Sequence, residues 1–209
     1  MTAPRGPVVG VLLAGGLARR MGGGDKCLRQ LGGRSLIDIL IERTQSQVSH
    51  LIINANGDPK RFEAQGLETV PDVIDGFQGP LAGILTGLGW AAINVPEAQW
   101  VVSFATDAPF VPLDMVSRLF AAVEDEQADM ACAMTNGRTH PVFALWPVRL
   151  KEDLHRAMMG EEMRKIDLWT GRHNIVHVEF PTVPIDPFFN VNRPDDLARA
   201  ETLYKGISG

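Results

Sequence analysis

A layered α/β domain on a mainly parallel sheet is the fold class that these 209 residues predict. Three observations lead to it. Short β-branched apolar runs alternate with amphipathic runs along most of the chain, as strand–helix–strand units require. The first run, Val8-Val9-Gly10-Val11-Leu12-Leu13, carries no polar residue, as befits a strand covered on both faces. Glycine, asparagine or aspartate follows one run after another, at Gly15-Gly16, Asn54, Asp72 and Asp107. Sheets of this kind bind ligands just outside the carboxyl ends of their strands.

The elements follow in order. The run from Val8 is a strand that breaks into a glycine loop. Ser35, with Asp38 three residues on, has the capping pattern of a helix start. Leu36, Ile37, Leu40, Ile41 and Val48 share one side of the helix it opens. Residues 51–53 form a second strand ending at Asn54-Ala55-Asn56-Gly57. Gly79-Pro80-Leu81-Ala82-Gly83 opens another helix, with Pro80 in its first turn and Leu81, Ile84, Leu85, Leu88 and Ala92 at helical spacing. Residues 100–105 are a third buried strand, stopping at Thr106-Asp107-Ala108-Pro109. Residues 115–123 read as a helix and 129–133 as a strand. Strands at 142–145 and 175–180 enclose helical material, and Pro194 leads into a last helix at 195–204. The length fits one domain over 1–209, with loose ends at 1–7 and 205–209.

Composition narrows the function. Twenty Lys+Arg against 25 Asp+Glu give a formal charge of -5, unlike a general nucleic-acid or membrane-surface binder. Two cysteines, Cys27 and Cys132, make neither a disulfide framework nor a Cys-rich metal site. A reducing, cytoplasmic setting is expected. The charge-free stretch 76–96 carries Gln78, Pro80, Thr86 and Asn94, so no membrane span is expected there.

The loop after the first strand is the most informative segment. From Arg19 to Arg34 it holds Arg19, Arg20, Lys26, Arg29 and Arg34 against Asp25 alone. A basic, glycine-rich loop in an acidic protein points to an anionic ligand. Glycines let backbone N–H groups approach phosphate oxygens, and Arg and Lys supply the charge. Gly22-Gly23-Gly24 makes the loop conformationally permissive. It is not a Walker loop, because Lys26 stands between Asp25 and Cys27, and no G-x-G-x-x-G follows the strand.

Leu13-Ala14-Gly15-Gly16, then Arg20-Met21-Gly22 and Asp25-Lys26, resembles the signature of nucleotidyltransferases with the glycosyltransferase-A-like fold. The likeness continues at Gly79-Pro80-Leu81-Ala82-Gly83, Thr106-Asp107-Ala108-Pro109, Arg138-Thr139-His140-Pro141 and Asn190-Val191-Asn192-Arg193-Pro194-Asp195-Asp196-Leu197. That ordered set is similar to the molybdenum cofactor guanylyltransferases, which join GMP from GTP to molybdopterin. The resemblance implies a three-layer Rossmann-like nucleotidyltransferase fold, Mg²⁺ as cofactor, and GTP and molybdopterin as substrates. It also implies dealings with proteins of molybdenum-cofactor biosynthesis and with molybdoenzymes. A cytidylyltransferase acting on molybdopterin or on a sugar or polyol phosphate is the alternative, and a regulatory nucleotide-binding module stands further off.

Roles follow for particular residues. Asp107, at the end of an apolar strand, is the expected Mg²⁺ ligand, or else an ordinary turn aspartate. Lys26, assisted by Arg20, would face the triphosphate. Leu13, Ala14, Gly15, Asn54 and Asp72 are carried over to the nucleotide site. A carboxylate at Asp72 suits the N–H donors of guanine, although a loop aspartate after Pro71 is the plainer reading. Gly79 and Gly83 admit close approach of a base or ribose, or simply tight helix packing. His140, Asn190 and Asn192, with Arg164 or Lys165 behind them, are candidates for the pterin side. The two asparagines serve equally well as caps for the last helix. His173 and His177 lack an evident third ligand, so no zinc site is expected there. Trp146, Trp169 and Phe188-Phe189 read as core.

Overall fold

A computed structural model describes residues 6–15, 24–74, 76 and 79–207. These build a seven-stranded sheet with helices on both faces. Its strands are β1 (Val8–Leu13), β4 (His50–Asn54), β5 (Thr69–Val70), β6 (Trp100–Ala105), β7 (Met130–Thr135), β8 (Arg138–Pro147) and β9 (Ile175–Glu179). Their spatial order is β5-β4-β1-β6-β8-β7-β9. Two short strands, β2 (Gln30–Leu31) and β3 (Arg34–Ser35), pair antiparallel beside it. The helices are α1 (Leu36–Thr44), α2 (Pro80–Asn94), α3 (Met115–Glu126), α4 (Lys151–Gly160), α5 (Ile166–Thr170) and α6 (Pro194–Ile207).

The expected α/β class and mainly parallel sheet are what the structure has. β1 runs parallel to both β4 and β6, in register from Val9 with His50 and from Val8 with Trp100. Alternate residues of β1 enter opposite cores. Val8 and Leu12 join α1 and α3, while Val9 and Val11 join α2 and α4. Burial on both faces explains why the strand shows no polar alternation.

Two departures from the sequence expectation have local causes. The stripe assigned to α1 stops at Thr44, a 3₁₀ turn Gln45–Gln47 follows, and Val48 adopts extended backbone with φ -132°. Val48 therefore packs as the lead-in to β4 rather than as part of the helix. The sequence predicts separate strands at 129–133 and 142–145, whereas longer strands meet at Asn136-Gly137, with φ of 49° and 74°. Two consecutive left-handed residues make the tight turn whose twist suits a hairpin. That hairpin inserts β8 antiparallel between β6 and β7, so the N-terminal half of β8 extends past the carboxyl end of β6. Arg138–Val142 thereby reaches the ligand edge of the sheet.

The Ser35 cap is present, its Oγ accepting from the Asp38 N–H at 3.2 Å. At Gly83 the close approach is to a protein neighbour. An added Cβ would lie 2.3 Å from Asn54 Oδ1 and 2.5 Å from Leu13 Cδ2. Gly83→Ala is expected to cost about 1–3 kcal/mol of stability through overpacking. Gly89→Ala in the same helix meets nothing within 4 Å and is expected to stabilise by about 0.5–1 kcal/mol. Urea unfolding of the two variants checks the contrast; equal midpoints would contradict it. Among the described residues, no helix is long and apolar enough to cross a membrane.

Candidate nucleotidyl-transfer site

Two clusters of polar side chains form at the carboxyl ends of β1, β4 and β6. The first centres on Lys26. Asp25 leaves the glycine loop, Lys26–Leu28 makes one 3₁₀ turn, and the buried Cys27 anchors that turn in the core. Burial, helped by the negative charge of Asp25, pushes the Cys27 thiol up to about 12. It stays protonated, so it is no nucleophile.

Lys26 Nζ crosses to Asp107 at the end of β6 and donates to Oδ2 at 2.5 Å, the two side chains being 13% and 23% exposed. The same ammonium donates to Asn192 Oδ1. Neighbouring backbone holds the arrangement. Val191 N–H donates to the Asp107 carbonyl at 2.8 Å, and Thr106 Oγ1 donates to the Leu13 carbonyl at 3.0 Å, tying β6 to β1. Asp196, in the first turn of α6, accepts from the N–H groups of Asn192 and Arg193 at 3.0 and 2.9 Å. Asp196 thus ties back the backbone that leads into α6, and the side-chain oxygen of Asn192 meets Lys26.

The second cluster orients Asp72. Asn54 Nδ2 donates to Asp72 Oδ1 at 2.9 Å and to the Val70 carbonyl at 3.2 Å. Asn56 Nδ2 donates to Asp72 Oδ2 at 2.7 Å, while Asn56 Oδ1 accepts from the Asp72 N–H at 2.8 Å. Each carboxylate oxygen is held by one amide and keeps a further lone pair for a ligand donor. The Ala14 N–H donates to the Asn54 carbonyl at 2.9 Å, which places Leu13-Ala14-Gly15 beside this cluster.

The remaining candidates are placed unequally. His140 lies in the half of β8 that overhangs β6. Its Nε2 is 2.7 Å from Thr135 Oγ1, and its ring is 4.7 Å from that of Phe188. Burial lowers its pKa and favours the neutral imidazole. Asn190 follows Phe188-Phe189, and its buried Oδ1 has no hydrogen-bond partner among the described residues. Lys165 leads into α5, and Arg164 precedes it. α5 packs through Ile166 and Trp169 into the core on the sheet face opposite that of Phe188. Trp146, Trp169 and Phe188 are buried, as expected, whereas Phe189 is only partly so. Arg20, with Gly22 and Gly23, lies outside the described residues.

Sequence reasoning missed Asn56, Arg61, Thr106 and Asp196. Asn56 sits in the same strand-end loop as Asn54, and Thr106 precedes Asp107, so proximity was the available signal. Arg61 carried none, since its ion-pair partner Asp25 is 36 residues away in sequence and its other partner is a main-chain carbonyl.

Among the described residues no three His, Cys, Asp or Glu side chains gather to hold a metal. The donor chemistry nevertheless fits magnesium. That ion keeps several waters and typically takes one or two carboxylates together with substrate phosphates. Asp107 supplies such a carboxylate at a strand end.

A family model for the MobA-like NTP transferase domain matches residues 10–174. The molybdenum cofactor guanylyltransferase of Bradyrhizobium sp. strain ORS 278 is 55% identical over 196 residues, which is 94% of this chain and 92% of that one. The chain belongs to the molybdenum cofactor guanylyltransferases. A second member, from Rhodopseudomonas palustris strain BisB5, is 53% identical over 193 residues, 92% of each chain. In three dimensions the guanylyltransferase resembles the molybdopterin-guanine dinucleotide biosynthesis protein A of Archaeoglobus fulgidus. The TM-score is 0.74 at 26% identity, over 95% of this chain and 99% of that one. The family likeness first seen in the short motifs therefore extends over nearly the whole guanylyltransferase chain, and it is a nucleotidyltransferase.

Proposed function

We propose that this guanylyltransferase transfers GMP from GTP to molybdopterin, releasing pyrophosphate and forming the guanine dinucleotide form of the cofactor. An oxygen of the molybdopterin phosphate attacks the α-phosphorus of GTP. The bond from that phosphorus to the β-bridging oxygen breaks, and its electron pair leaves with pyrophosphate. No redox partner is needed. The observation that carries this reading is the meeting of Lys26, Asp107 and Asn192, from three segments of the chain, beside the carboxylate-and-amide cluster of Asp72.

Each residue has a task. Asp72, oriented by Asn54 and Asn56, accepts from the N–H edge of guanine. Leu13, Ala14 and Gly15 contribute backbone beside the nucleotide. Lys26 lies against the phosphates and neutralises charge that grows on the departing pyrophosphate. Arg20 assists it. Asp107 would hold Mg²⁺, and the ion would draw charge from the phosphate oxygens. His140, Asn190 and Asn192 face the pterin. The attacking phosphate monoester has a second pKa near ~6 and is largely dianionic at neutral pH. No general base is required, and the neutral His140 need not act as one. The reaction belongs to the cytoplasm, between proteins that deliver molybdopterin and those that receive the product.

Pyrophosphate release tests the proposal. It is expected from GTP only when molybdopterin is present, with CTP a poor competitor. Absence of release would overturn the activity. Equal use of CTP would overturn the base assignment to Asp72 and restore the cytidylyl alternative.

A further inference from the structure

Arg61 belongs to no motif and lies on the 3₁₀ helix Pro59–Gln65, between β4 and β5. Two features fix this short helix. Asp58 Oδ1 accepts from the Lys60 N–H at 3.0 Å, and the Phe62 ring is fully buried in the core beneath. Arg61 is therefore presented from a seated element. Its Nη1 pairs with Asp25 Oδ1 at 3.2 Å, and its Nη2 donates to the Asn56 carbonyl.

The two partners belong to different halves of the site. Asp25 is the residue before Lys26 in the phosphate loop. Asn56 brackets Asp72 with both ends of its side-chain amide. The turn carrying Lys26 follows β1 in sequence, the turn carrying Asn56 leaves the end of its parallel neighbour β4, and the guanidinium spans the two turns. The planar fork supplies two directed donors at a fixed separation, which an ammonium cannot do.

We infer that Arg61 is a positioning residue for nucleotide binding, clamping the base-recognition turn to the phosphate loop. The inference rests on the nucleotide-site reading above and deepens it. One guanidinium sets the separation between the guanine acceptor, Asp72, and the phosphate cation, Lys26. Without it the ligand itself must order the two turns, and that ordering is charged against affinity. Base discrimination also weakens, because a loosely held Asp72 no longer rewards the full set of guanine donors.

Calorimetric titration with GTP and with ITP, which lacks the exocyclic amino group of guanine, tests this on the wild-type protein and on Arg61→Ala and Arg61→Lys. Arg61→Ala is expected to weaken GTP binding about tenfold and to shrink the preference for GTP over ITP. In turnover, KM for GTP should rise by a larger factor than kcat falls. A purely structural residue behaves otherwise: its loss lowers the folded fraction and the thermal midpoint, with the affinity of the folded molecules and the GTP/ITP ratio unmoved. Arg61→Lys keeps a cation near Asp25 but lacks the second directed donor. It should recover part of the GTP affinity and not the ratio. Wild-type affinity and ratio in Arg61→Lys and Arg61→Ala overturn the inference, and should the alanine variant not fold, the lysine variant decides alone. A wild-type protein that binds GTP without transferring it defeats the proposed activity and leaves the Arg61 comparison readable. One that binds neither nucleotide defeats both.

Discussion

Asp107→Asn is expected to lower kcat/KM for guanylyl transfer by at least about a hundredfold, the scale on which removal of one electrostatic group from a reacting site acts. The substitution preserves shape and removes charge. An asparagine still accepts from Lys26 through its amide oxygen, and the main-chain carbonyl of residue 107 still receives the Val191 N–H, now at 2.8 Å. The fold and the seat of Lys26 should survive, with the thermal midpoint close to the parent. What disappears is the carboxylate proposed to hold magnesium beside the triphosphate. The loss should therefore be accompanied by a weaker response to added Mg²⁺ in the assay. Turnover near the parental level would remove Asp107 from the reaction.

Lys26→Ala comes next in size, with kcat expected to fall about a hundredfold because the cation proposed to face the leaving group is gone. Stability should respond far less. The ion pair with Asp107 is partly exposed, so it contributes no more than about 1 kcal/mol to folding. The variant thus separates catalysis from structure more cleanly than most. Lys26→Arg is an informative companion. Nζ sits at a narrow meeting of Asp107 and Asn192, and the broader fork of arginine does not reproduce a single ammonium placed against both. Rescue of kcat should be incomplete. Wild-type kinetics in Lys26→Ala would show that the convergence of the three segments has no part in catalysis.

Much of this could be read along the chain because the causes were local. β1, β4 and β6 stand where apolar runs end in Gly, Asn or Thr-Asp, and α2 begins where Pro80 satisfies a first helical turn. Lys26 and Asp107 were legible as chemistry because a basic loop and a strand-end carboxylate each break the pattern around them. Asn136-Gly137 was a local signal too, and recognising it would have predicted the β7–β8 hairpin.

The networks that hold the site were not legible, since their partners lie far apart in sequence. Lys26 and Asp107 are 81 residues apart, and Lys26 and Asn192 are 166. Nothing near Asn192 says whether its amide caps a helix or meets a lysine. In the structure its oxygen meets Lys26, while Asp196 takes the N–H groups of Asn192 and Arg193 just ahead of α6. Gly83, in α2, illustrates the same point: its need for a bare Cα arises from Asn54, at the end of β4.

By itself, then, the order of residues determined which segments become strands and helices and which side chains carry charge to the strand ends, because periodicity, caps and turn residues act over a few positions. Only the tertiary structure decided that β8 inserts between β6 and β7, that Asp72 is gripped by two amides, and that Arg61 joins two turns. Those choices depend on where long-range packing brings distant backbone, which sets every donor–acceptor distance in the site.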